Sequence, residues 1–203
     1  MSITLHDGDI PADLNFGPSI AIDTEAMGLQ NCRDRLCLVQ LSSGDGTAHL
    51  VQFKPGEYDA PNLKTLLRNP NILKIFHFAR FDIALLKYYL DVECTPLYCT
   101  KIASKLIRTY TDRHGLRELC RHLLNVEINK QQQTSDWGAP TLDEDQLSYA
   151  ASDVLYLHRL KEELDKMLER EGRVEFAQKC YDFLMTRANL DIAGWNNIDI
   201  FEH

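Results

Sequence analysis

No apolar run of about 18 residues or more occurs anywhere in the 203 residues, so no segment reads as a membrane-spanning helix. An excess of positive charge is missing too: 22 Lys and Arg stand against 30 Asp and Glu, a formal charge of −8. That balance argues against a surface that grips nucleic acid over its whole extent. It is compatible with an enzyme in which bound cations neutralise a local carboxylate cluster and so attract phosphate. Residues Met1 to Asp9 offer neither a basic start nor the apolar core of an export signal, and a cytoplasmic protein is expected, with no membrane association. A disulfide framework is not expected in that setting, although there are six cysteines. The Cys32/Cys37 and Cys94/Cys99 gaps lie at the edge of zinc-ligand spacing, and the thiols read as reduced and structural. No repeat, low-complexity tract or linker divides the chain, so a single domain over residues 1–203 is expected.

What is present is a mixed α/β pattern. Ser19 to Asp23 reads as a strand, and Leu36–Leu41 and Ala48–Phe53 read as two more. The turn formers of Ser42–Thr47 join that pair as a hairpin. A short helix over Asn62–Arg68 and a strand over Ile72–Phe76 follow, then a helix over Ala79–Leu90 with apolar residues at helical spacing. Cys94–Tyr98 is a fifth short strand, which Pro96 assigns to an edge. Beyond it the chain turns helical: Thr100–Arg108, Leu116–Leu124, Leu142 to about Arg170, and Val174 to about Ala188. Strands first, then strands alternating with helices, is the order of a mixed α/β domain.

Three acidic signals stand on these elements. Asp23 and Glu25 follow the apolar run Ile20-Ala21-Ile22; on a strand, a spacing of two puts both carboxylates on one face. Asp82 closes the segment His77-Phe78-Ala79-Arg80-Phe81-Asp82, which leaves a strand and enters a helix. Tyr149 and Asp153 lie four apart on the long helix, one above the other, with Ala150 and Ala151 allowing close approach to the sheet. Thr141 and Glu144 have the spacing of a capping box at its start. Oxygen ligands are what hard divalent cations require, and two such ions can activate a water and stabilise the leaving oxygen of a phosphodiester. Without metal, four clustered carboxylates would repel and raise one another's pKa.

The three motifs together resemble the DEDD superfamily of 3′→5′ exonucleases, in its tyrosine branch, and most closely the ribonuclease D family. Ala21–Glu25 looks like the first motif, His77–Asp82 the second and Tyr149–Tyr156 the third. Leu38-Val39-Gln40-Leu41 and Ser135-Asp136-Trp137 extend the likeness, which covers about residues 18 to 165. The resemblance implies an RNase H-like α/β fold, a mixed five-stranded sheet flanked by helices. It also implies two divalent ions, Mg²⁺ or Mn²⁺. Asp23, Glu25 and Asp153 would hold the ion on the nucleophile side, Asp23 would reach the second, and Asp82 would act through water. Tyr149 would orient the attacking water, because a free phenol is only about one part in a thousand ionised at pH 7. The expected substrate is single-stranded RNA, with tRNA precursors or other structured-RNA 3′ tails as candidates. It would be trimmed from the 3′ end to nucleoside 5′-monophosphates; that polarity comes from the resemblance alone. The same chemistry on DNA is the alternative, and a non-catalytic nucleic-acid-binding module is a second.

Two departures mark this chain. Related enzymes commonly carry Asn after the His of the second motif, where this sequence has Phe78, a ring able to stack on the terminal base. Full-length ribonuclease D adds helical RNA-gripping domains after the nuclease domain, whereas the chain reads as the nuclease domain alone. Further candidate substrate contacts are His77 and Arg80, and Lys130 and Gln133 in the irregular segment 129–140. Trp137, in the same segment, is either a base-stacking group or a core anchor. Lys101, Lys105, Arg108, Arg113, His114, Arg117, Arg121 and His122 form either a phosphate-facing rim or a solvated helix face. Asn189–His203, with Trp195 and Phe201, packs back on the domain or on a partner subunit; the sequence does not fix an oligomeric state.

Overall fold

The computed structural model describes residues 2–128, 132 and 134–203; Lys130 and Gln133 therefore lie outside the described residues. The elements run β1 (Ser2–Asp7), β2 (Ser19–Ala26), β3 (Leu36–Ser42), β4 (Thr47–Gln52), α1 (Pro61–Arg68), β5 (Leu73–Phe76) and α2 (Ala79–Leu90). They continue as β6 (Leu97–Cys99), α3 (Thr100–Ile107), α4 (Leu116–Leu119), α5 (Glu144–Leu155), α6 (Leu157–Arg170) and α7 (Val174–Leu190). Wide helical turns extend α4 over Cys120–Leu124 and α7 over Asp191–Trp195.

The sheet is mixed, in the order β1-β4-β3-β2-β5-β6. β3 and β4 form the expected antiparallel hairpin, β2 joins β3 antiparallel, and β5 and β6 add in parallel on the other side of β2. β6 is an edge strand, as Pro96 implied. The sheet has six strands rather than five, because Ser2–Asp7 pairs in parallel with β4 from Ser2↔Thr47 to Asp7↔Gln52. Only Ile3 and Leu5 mark it in sequence, and it is largely exposed on one edge. β3 lies centrally and is buried along its whole length.

Alternation along β2 and β3 divides the core. Val39 and Leu41 share one large cluster with Ile20, Ile22 and the α2 residues Ile83 and Leu86. Leu38 and Leu50 point the other way and pack with Trp137, Leu142 and Ala150 beneath α5. Ala150 and Ala151 have no exposed surface, so the small side chains seat α5 directly on the sheet.

The single long helix expected from Leu142 to Arg170 is two helices, broken at Tyr156, whose φ of −107° and ψ of −5° depart from helical values. The apolar spacing runs on across the break and neither Gly nor Pro marks it. The capping box also lies two residues later than expected. Asp143 accepts from the Gln146 backbone N–H at 2.8 Å, and the Gln146 side chain accepts from the Asp143 N–H at 2.9 Å. Gln146 further donates to Ser135 Oγ at 2.6 Å, which pins the segment carrying Trp137 to the start of α5. No helix among the described residues is long and apolar enough to cross a membrane. All six cysteines are free.

Candidate active site

β2 lies between an antiparallel and a parallel neighbour, and its last residues extend beyond the end of β5, whose Phe76 pairs with Ile22. The chain leaving β5 turns at His77 and Phe78 into α2, which brings Asp82 beside Thr24. Thr24 and Asp23 are adjacent on a strand and so face opposite sides. Thr24 donates its hydroxyl to Asp82 Oδ1 at 2.6 Å, while Asp23 and Glu25 face α5. Ligand oxygens of Asp23, Glu25 and Asp153 all lie within 4.8 Å of one another. Asp82 completes the four acids from the α2 side. Asp23, Glu25, Asp82, Tyr149 and Asp153 line one cavity of about 360 Å³.

The electrostatics follow from that crowding. Burial, then the charges of Asp82, Asp153 and Glu25, raise Asp23 well above the ordinary carboxylate range. Burial, then Asp153 and Asp82, do the same to Glu25. Burial pushes Asp82 up to about 7, even though the Thr24 hydrogen bond favours its ionised form. Tyr149 is raised by burial and then by Asp153, Glu25 and Asp23, so its phenol stays neutral at physiological pH. A pocket lined by carboxylates that resist ionisation suits divalent cations. The close trio offers only oxygen donors, the ligand type that Mg²⁺ and Mn²⁺ select over thiolate or imidazole.

The other expected contacts divide. His77 lines the cavity, with Nδ1 2.8 Å from Thr100 Oγ1. Phe78 stands at the rim, 47% exposed, with φ of 65° and ψ of 41°. A bulky residue in that left-handed region is uncommon. The Lys101 ammonium lies 3.8 Å from the Phe78 ring centroid. Arg80 does not line the acidic cavity but does line the one adjoining it; its guanidinium binds Asp191 at 2.6 and 2.8 Å and donates to the Asn196 carbonyl at 2.8 Å. Trp137 is a core anchor and not a stacking surface. It is 3% exposed, and its ring centroid lies 6.0 Å from that of Tyr149, which it buttresses.

Of the basic stretch, Lys101 and Arg117 line the cavity. Arg108 is buried and donates to the Arg113 carbonyl, His114 meets Ser104, and Arg121 pairs with Glu118. Gly115, Leu116 and Ile128 are further lining residues. Sequence reading did not single them out, and no charge or periodicity marks them. Phe78 and Phe81 also border an adjoining cavity of about 510 Å³, walled by residues 29–33 and by the segment after α7.

The sequence profile of the 3′-5′ exonuclease family matches residues 9–169, a span that includes all four acids and Tyr149. The chain belongs to that family. Ribonuclease D of Gluconacetobacter diazotrophicus is 35% identical over 159 residues, covering 78% of this chain and 40% of that protein. This 3′-5′ exonuclease chain thus spans about 40% of the length of the curated relatives it matches. Among solved structures, Brucella melitensis NrnC with bound Mg²⁺ superposes with a TM-score of 0.96 at 53% identity, over 100% of both chains. The same protein bound to pGG gives a TM-score of 0.97 at 54% identity, over 100% of this chain and 99% of that one. The mixed six-stranded architecture is accordingly the RNase H-like fold of 3′-5′ exonucleases.

Proposed function

We propose that this chain is a metal-dependent 3′→5′ exoribonuclease that shortens single-stranded RNA from its 3′ end and releases nucleoside 5′-monophosphates. The observation that carries the reading is the trio Asp23, Glu25 and Asp153, with ligand oxygens within 4.8 Å on one wall of a nucleotide-sized cavity. Asp23, Glu25 and Asp153 would hold one Mg²⁺ or Mn²⁺ ion and Asp23 would share a second, with Asp82 acting through water. When bound, two such ions supply an activated water and charge stabilisation for the leaving oxygen.

The protein's own groups do the rest. Tyr149, neutral and braced by Trp137, orients the attacking water rather than taking its proton. Lys101 and Arg117 put positive charge at the mouth of an otherwise acidic pocket, where the backbone of the strand enters. The exposed Phe78 ring offers a face for the terminal base. NrnC is described bound to pGG, which supports short RNA as substrate for this chain. Two adjacent cavities sharing Phe78 and Phe81 leave room for two nucleotides.

The test is a cleavage time course on matched 5′-labelled RNA and DNA, from dinucleotide to longer strands, with Mg²⁺, Mn²⁺ or EDTA. The expected result is a metal-dependent ladder shrinking one nucleotide at a time from the 3′ end, faster on RNA. A higher rate on DNA would move the substrate class. Folded, metal-supplied protein that cleaves neither strand would leave a binding module.

A further inference from the structure

Gln40 is the anomaly of the buried sheet. It sits in the middle of β3 with no exposed surface, and neither its Nε2 nor its Oε1 finds a hydrogen-bond partner among the described residues. Of its same-face neighbours, Leu38 on β3 and Leu50 opposite on β4 are apolar, and the Ser42 hydroxyl is taken by the Thr47 carbonyl and the Gly44 N–H. A leucine or methionine would fill such a place without burying an amide, and buried side-chain amides are ordinarily paired. The other cross-strand neighbour is different. Gln40 is registered directly against Asp23 on β2, and partners opposite one another in an antiparallel pair share a face with Cβ atoms about 5 Å apart. An unpartnered amide thus lies under α5, next to a carboxylate that faces the cavity.

We infer that Gln40 is a positioning residue for Asp23: its Nε2 donates to the Asp23 carboxylate when the cation site is filled. The donated hydrogen bond holds one carboxylate oxygen toward the sheet and leaves the other directed at the cation. This rests on the metal-site reading above. Asp23 is the acid proposed to serve both ions, so its rotamer affects the site most, and Gln40 is the neutral donor that β3 places opposite it. Hydrogen-bonded supports of this kind commonly change metal affinity or activity by 10–100-fold when removed. The motif Leu38-Val39-Gln40-Leu41 thereby gains a role for its one polar member.

Mn²⁺ titrated calorimetrically into the RNA-free wild-type and Gln40→Met proteins provides the test, with methionine chosen to conserve volume. Expected are an affinity about tenfold weaker in the variant, a metal-free Tm unchanged or higher, and a fall in kcat with KM for RNA unchanged. Equal affinity and equal kcat would make the amide a packing feature and overturn the inference. Wild-type protein that takes up no Mn²⁺ would overturn the metal site itself, and this role with it. Should the variant not fold, a crystal structure of the wild type with Mn²⁺ decides. Gln40 Nε2 at hydrogen-bond distance from an Asp23 oxygen supports the role, and an amide turned away from Asp23 refutes it.

Discussion

Tyr149 is held neutral by burial and by three carboxylates, so its contribution at pH 7 is the geometry of one hydroxyl. Tyr149→Phe is expected to lower kcat by about 10²-fold, the scale of a lost positioning or proton-handling group. Mn²⁺ affinity should not change, because the carboxylates of Asp23, Glu25 and Asp153 supply the ligand oxygens and a phenol held neutral is a poor ligand for a hard cation. Steady-state kinetics beside calorimetry would check this, and weakened metal binding would make the tyrosine a ligand instead. Phe78 invites a second substitution. Its backbone is left-handed and it caps α2 without a side-chain hydrogen bond. Asparagine tolerates that conformation and can cap a helix. Phe78→Asn should therefore raise Tm, while KM for RNA rises about tenfold through the lost stacking surface, worth about 1–3 kcal/mol per base. An unchanged KM would remove the ring from substrate binding. At this scale the acids and Tyr149 were legible because their spacings belong to regular elements: two on a strand, four on a helix. The sequence left Trp137 open between base and core, and it gave no sign of Arg80's ion pair, because their partners, the Tyr149 ring and Asp191, are set by tertiary structure. The division of the basic stretch was invisible for the same reason, since a cation at the cavity and one paired with Glu118 look alike in sequence.

Between elements, the decisive joint is the one that fixes the C-terminal segment to α2. Asp191 is 8% exposed and receives two guanidinium groups, Arg80 from α2 and Arg187 from α7 at 2.6 Å. Arg80 and Arg187 also donate to carbonyls at Asn196 and Ile198, so both arginines hold the tail that walls the adjoining cavity. Asp191→Ala leaves two cations facing each other around a vacated acceptor. Breaking a buried pair costs about 3–5 kcal/mol, and the lower end is expected here because Arg187 is mostly buried while Arg80 is partly in solvent. Thermal unfolding should register that loss, and hydrogen exchange should show the tail opening before the sheet does. A variant as stable as wild type would mean that Phe183 and Phe201, with ring centroids 5.7 Å apart, secure the tail without the ion pairs. This joint ties the start of the tail to α2 and α7, while Trp195, Ile198 and Phe201 further along it stay exposed. The hairpin, β5, α2 and α7 were readable from turn residues and apolar period. β1 was not, because a parallel edge strand with two apolar residues depends on a partner 45 positions away in register, Ser2↔Thr47. The break at Tyr156 was hidden because α6 continues the apolar stripe of α5.

For the molecule as a whole, four carboxylates in one cavity set stability against function, and pH and metal should move the two together. Asp82 titrates near 7 in the fold instead of the ordinary 3.8, and Asp23 and Glu25 are raised as well. An acid whose pKa is raised by folding favours the native state while protonated; that advantage is complete below about pH 4 and is lost as pH climbs through the folded value. In EDTA, Tm should accordingly decline between pH 5 and pH 8. A divalent cation binds the ionised native cluster and not the unfolded chain, so it reverses the sign of the effect. At a hundred times its Kd, Mg²⁺ or Mn²⁺ adds about 2.7 kcal/mol. For a domain of this size that raises Tm by roughly 5–10 °C. Asp153→Asn separates the two contributions. With one charge gone from the cluster, the metal-free protein should melt higher than wild type at pH 8 and gain little from Mn²⁺. Its cleavage rate should fall by about 10³-fold or more, the loss of several kcal/mol of cation-derived stabilisation. Differential scanning fluorimetry across pH, with EDTA or Mn²⁺, would check the melting temperatures, and a cleavage time course the rate. A wild-type Tm that rises with pH in EDTA would mean that other titrating groups outweigh the acidic cluster. An Asp153→Asn protein that still cleaves at the wild-type rate would remove Asp153 from the chemistry.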